Sequence, residues 1–115
     1  MDTNYKMYIL VNMDLKMKSG KKCSQVGHVV QAITEKLMFV DQNLLKKYKK
    51  SGQTKIVLKA SEKQMLILIE QFPLSTQYIH DAGHTQVKPG SLTAMAFYPI
   101  LDDKKPELLK EMKLL

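Results

Sequence analysis

The chain has 115 residues, 44% of them hydrophobic, which excludes a disordered chain and predicts a single domain around one core. Its net charge is +7, and all 18 basic residues are lysine, so any anion contact is made by point-charge ammonium groups, without the two-pronged guanidinium of arginine. No apolar run reaches the length of a membrane span, the start carries no signal-like apolar stretch, and the single Cys23 excludes an intrachain disulfide; these features point to a reducing, cytoplasmic setting with no membrane partner.

Met7–Val11 is a nearly continuous apolar run and reads as a central strand buried on both faces. A polar connection leads to a helix from about Ser19, with Ser19 as its N-cap, to Met38. Val26, Val29, Val30, Ile33 and Leu37 form its apolar stripe. Lys21, Gln25 and His28 are spaced four and three apart, which predicts a shared polar face opposite that stripe. Gly27 lies inside the helix at a cost of about 1 kcal/mol relative to alanine.

Asn43–Lys50 reads as a second, shorter helix capped by Asn43, its lysines forming a solvated face. Lys55–Lys59 is a second buried strand. Ser61-Glu-Lys-Gln64 is a capping-box pattern that opens a helix to about Gln71, and Pro73 prevents much continuation. Thr76–His80 and Ser91–Tyr98 read as strands. The ten residues between them are too few for a parallel crossover, so the two should pair antiparallel. Asp102 or Asp103 can cap a closing helix with Pro106 in its first turn. The order βααβαββα predicts an α/β fold, with a four-stranded mixed sheet and helices on both faces.

Two clusters carry the candidate chemistry. Lys21, Gln25 and His28 follow the carboxyl end of the first strand, the edge at which open α/β sheets bind ligands. There Lys21 can hold a phosphate or an oxyanion, and His28 can move a proton. Asp81, His84, Thr85 and Thr93 form the second cluster. Asp81 can orient an imidazole or activate a water, or simply close an Asx turn. Three scattered histidines and one cysteine show no metal-ligand spacing.

Met13-Asp-Leu-Lys-Met17, Gly20-Lys21, Gln25 and His28 resemble the first motif of the type 2 peptidyl-tRNA hydrolases. Asp81-Ala-Gly83, Thr85-Gln86, Pro89-Gly-Ser91 and Thr93 resemble the second. The resemblance runs over nearly the whole chain. It implies cleavage of the ester joining a peptide to the terminal ribose of tRNA, with no metal or cofactor, and often a homodimer. Carried over by position, it implies Lys21, His28, Asp81, Thr85 and Thr93 as the catalytic group, with Gln25 beside them. Lys18, Lys22, His84 and Lys88 are then candidates for binding the tRNA backbone. Water would attack the ester carbonyl, with Asp81 or His28 as the base and Lys21 and a threonine hydroxyl at the oxyanion. The chain departs from the family pattern at Ser19, Cys23-Ser24, Gly27 and His84. The changes at Ser19 and His84 motivate the alternative of a non-catalytic RNA-binding module.

Overall fold

In the computed structural model, which describes residues 4–82 and 88–115, the first strand β1 spans Tyr5–Asn12 and is buried from Met7 onward. Its side chains alternate between two cores. Met7 and Ile9 enter one, and Tyr8 and Leu10 enter the other. A strand covered on both sides needs no polar face, which is why this run is continuously apolar.

Helix α1, Ser19–Val40, follows. Lys18, not Ser19, holds the N-cap position, and no side chain caps the helix there. Val29, Ile33 and Leu37 are fully buried in the first core, each burial contributing about 1.5–3 kcal/mol. Helix α2, Gln42–Lys50, is capped by Asp41, whose Oδ1 accepts from Leu44 N at 3.0 Å, in place of the expected Asn43. Its Tyr48 joins the same core. Strand β2 is Lys55–Ala60 and helix α3 is Glu62–Gln71. The Ser61–Gln64 capping box forms in both directions, at 3.1 and 2.9 Å. Met65 and Leu68 of α3 pack into the second core, on the other side of the sheet from α1.

Strands β3, Thr76–His80, and β4, Leu92–Phe97, pair antiparallel. The strand order is β2-β1-β4-β3, with β1 parallel to β2 and antiparallel to β4. The sheet is therefore mixed, and β1, β2 and β3 all run the same way. A two-residue strand β5, Ile100–Leu101, adds a fifth member by pairing with the start of β1.

The expected closing α-helix is absent. Two 3₁₀ segments, Asp102–Lys104 and Glu107–Glu111, stand in its place. After Pro106 the chain turns with the tighter i→i+3 bonds, Leu109 N donating to Pro106 O at 3.1 Å and Met112 N to Leu109 O at 3.2 Å. The flanking contacts also draw this segment against the sheet: Leu109 is buried in the second core, with Leu108 and Met112 beside it. The chain ends along β2, where Leu58 bridges Leu114.

Asp102 anchors this terminal segment to β1. Its carboxylate accepts a hydrogen bond from the Tyr8 hydroxyl, and Lys6 and Lys105 each place Nζ 3.4 Å away. The Tyr8 hydroxyl, then Lys105 and Lys6, hold the Asp102 carboxyl below its ordinary range. Burial, reinforced by Asp102, pushes the Tyr8 phenol well above its ordinary value. A carboxyl group held low in the folded state contributes stability above its unfolded pKa, and that stability is lost as pH falls through the folded value. Wild type is therefore expected to melt above Asp102→Asn at about pH 7, and the gap to close as pH drops below about 4. Thermal melts across that range check this; a gap that stays constant would show that the carboxylate charge contributes nothing.

Candidate active site

Because β1, β2 and β3 run in one direction, their carboxyl ends share an edge. Helix α1 begins just beyond the end of β1 and lies across β4 and β3. Its first turns therefore come to the end of β3, where Asp81 is the next residue. The Lys21 ammonium pairs with the Asp81 carboxylate. Both side chains are nearly excluded from water, 11% and 3% exposed, so the pair is a buried one. The first turn of α1 contains no acidic residue and carries two lysines. Their charge adds to the positive end of the helix dipole, and Asp81 offsets part of it.

A tight turn fixes Asp81 from the other side. Lys88-Pro89-Gly90-Ser91 is closed by Ser91 N donating to Lys88 O at 3.1 Å, with Gly90 at φ +82°. Proline second and a positive-φ glycine third is the type II pattern, and a side chain at that glycine would be strained. Gly90 N donates to Asp81 O at 2.9 Å, and Asp81 N donates to Ser91 O at 2.8 Å. The Asp81 backbone is thus held on both its polar groups.

Thr93 owes its position to a bulge. Ile79 pairs with Ala94 but His80 pairs with Leu92, leaving Thr93 as an extra residue on β4. The extra residue turns Thr93 to the α1 side, beside Ala94, where alternation counted from Ala94 would have sent it to the α3 side. There its hydroxyl accepts from Gln25 Nε2 at 2.6 Å and donates to Ile79 O at 3.2 Å. Gln25 is consequently not on an exposed polar face. It is buried on the same ridge as Val29, Ile33 and Leu37. An amide is tolerated on that ridge because it has a partner on β4.

The cleft over this arrangement has a volume of about 490 Å³. Lys21, Gln25 and His28 of α1 form one wall, and Ile79, His80, Asp81 and Ala82 the other. His28 is exposed within it. Thr93 lies beneath Gln25, fully buried, and does not line the cleft. Lys88 is exposed in the type II turn, and Lys18 precedes α1. Lys22 lies elsewhere, lining a separate depression with Met13, Cys23 and Lys59. Thr85 and His84 lie outside the described residues. Ser24, Gln31, Glu35 and His80 also line the cleft and were not among the site residues expected from the sequence. The three on α1 recur with His28 at helical spacing, and that period was the available signal. Among the described residues, no group of three or more His, Cys, Asp or Glu is placed to hold a metal ion.

A family model described as Peptidyl-tRNA hydrolase PTH2 matches residues 5–115. The chain belongs to this family. A peptidyl-tRNA hydrolase of Methanococcus maripaludis strain C7 is 38% identical, over 96% of this chain and 99% of that protein. One from Methanocaldococcus jannaschii is 34% identical over the same shares. The human mitochondrial peptidyl-tRNA hydrolase 2 is 34% identical over 83% of this chain and 55% of its own length. The family match includes both walls of the cleft.

The Lys21–Asp81 pair makes a specific energetic demand. Removing one partner takes away the counter-charge that the other meets inside the protein. Lys21→Met is expected to lower the unfolding free energy by about 3 kcal/mol. In a cycle with Asp81→Asn, the double variant should lose less than the sum of the single losses. Urea unfolding of the four proteins measures this; additivity within about 0.5 kcal/mol would show that the two groups do not act as a pair.

Proposed function

We propose that this chain hydrolyses the ester between a peptide and the 3′-terminal ribose of tRNA, in the cleft between α1 and the end of β3. The observation that carries the reading is the Lys21–Asp81 pair. It holds one ammonium group at the head of an open cleft that an exposed imidazole also lines, in a chain of the peptidyl-tRNA hydrolase family.

In this mechanism His28 takes a proton from the attacking water. Its neutral imidazole carries a lone pair for that purpose, and its ring is exposed in the cleft. Asp81 is committed to holding Lys21, and Lys21 stabilises the oxyanion that forms as water adds to the ester carbonyl. An ammonium fixed before reaction needs no reorganisation as that charge develops. When the tetrahedral intermediate collapses, the ester C–O bond breaks and the ribose oxygen leaves with a proton returned from His28. Thr93 acts as a positioning residue. Its hydroxyl proton is engaged by Ile79 O, and through Gln25 it sets the height of α1 over β3. On this reading Lys18 and Lys88, both exposed, meet acceptor-stem phosphates, contacts that carry affinity without sequence preference. The chain acts in the cytoplasm on this reading.

The test is release of tRNA and peptide from a labelled peptidyl-tRNA by purified protein. Turnover is expected in wild type. His28→Ala and Lys21→Ala should each lower kcat by about 100-fold or more. Full turnover in His28→Ala would remove His28 as the base and transfer that role to Asp81. Tight tRNA binding without release by wild type would make the chain a non-catalytic RNA-binding module.

A further inference from the structure

The cleft occupies the α1 side of β3. The other side of the same strand carries two aromatic rings. Tyr78 pairs with Met95 and His80 with Leu92, and both partners belong to the α3-side core. Directly opposed residues of an antiparallel pair point to one face, so Tyr78 and His80 share that face. Their rings meet edge to face, with centroids 5.4 Å apart and planes at 86°. Tyr78 is 47% exposed, a large ring left in water on the outermost strand of the sheet order.

The pair is oriented in advance. His80 Nδ1 lies 2.9 Å from Gly90 O. A carbonyl oxygen only accepts, so Nδ1 carries the hydrogen and the ring is tied to the type II turn. That turn is the one that holds the Asp81 backbone, and it presents the exposed Lys88. His80 also lines the cleft. The two rings and the reaction site are therefore continuous around the β3 edge. Tyr78 lies three residues before Asp81, about 10 Å along an extended strand.

We propose that Tyr78 and His80 form a stacking platform for the unpaired 3′-terminal nucleotides of tRNA, with Lys88 against the intervening phosphates. The inference rests on the hydrolase reading given above. With the esterified ribose at Asp81, the terminal bases turn over the open edge of β3 and lie on the rings. Stacking on aromatic faces accepts any base, which suits an enzyme that reads the end of its substrate by shape. It also supplies affinity to a chain without arginine, whose lysines can neither fork onto phosphates nor stack on bases.

The test uses deacylated tRNA with 2-aminopurine as the 3′-terminal base, whose fluorescence is quenched by stacking, together with kinetics on intact peptidyl-tRNA. Wild type and Tyr78→Phe are expected to quench it. Tyr78→Leu keeps the apolar bulk and removes the aromatic face. It should abolish quenching and raise KM about tenfold, with kcat changed less than twofold. A tRNA lacking the 3′-terminal nucleotides should bind wild type and Tyr78→Leu equally. Unchanged quenching and KM in Tyr78→Leu, with wild type hydrolysing normally, would overturn the platform and leave the hydrolase reading standing. Quenching that depends on Tyr78 in a wild type that releases no peptide would support the platform and overturn the hydrolase reading.

Discussion

A lysine ammonium and an aspartate carboxylate, both almost shut off from water, have to meet across 60 residues of chain. Neither group is tolerable in that position alone. The price of a lone buried charge is several kcal/mol, so the elements that carry the two must arrive in register. Much of the fold can be understood as meeting that requirement. The parallel direction of β1 and β3 brings the start of α1 and the end of β3 to one edge of the sheet. The type II turn at Gly90 fixes the Asp81 backbone, and the Thr93 bulge gives α1 a polar seat on β4 through Gln25.

The pair sits at the head of a cleft, and the cleft walls are the polar residues of α1 and the last residues of β3. The helix N-terminus adds its own partial positive charge to that of Lys21. The result is a fixed cationic point facing a solvent-accessible volume large enough for the ester and its neighbours. The net charge of +7 on the whole chain favours a polyanionic partner.

The framework was legible in the sequence where the signals were local. The buried run at Met7–Val11, the Ser61–Gln64 capping box and the antiparallel pairing of β3 with β4 each depend on signals close together in the chain, and each forms as read. What was not legible depends on distant partners. Gln25 reads as a polar-face residue until its acceptor, Thr93, is placed 68 residues away. The face that Thr93 takes is not decided by alternation, because a bulge is invisible without the partner strand. The closing helix failed for a related reason: Asp102 reads as a cap, yet its carboxylate is engaged by Tyr8, 94 residues earlier. Lys21, His28 and Asp81 were identifiable as residue types that do chemistry at strand ends. Their assembly into one cleft follows from the sheet order, which no short stretch encodes.

The central claim is that the ester lies at the Lys21–Asp81 pair. The most direct measurement is an NMR titration of the labelled protein with a non-hydrolysable amide-linked analogue of a 3′-aminoacyl-adenosine. Shift changes centred on Lys21, Ser24, His28 and Asp81 are the result the account predicts. Changes confined to the depression formed by Met13, Lys22, Cys23 and Lys59, with the α1–β3 cleft unmoved, would contradict it.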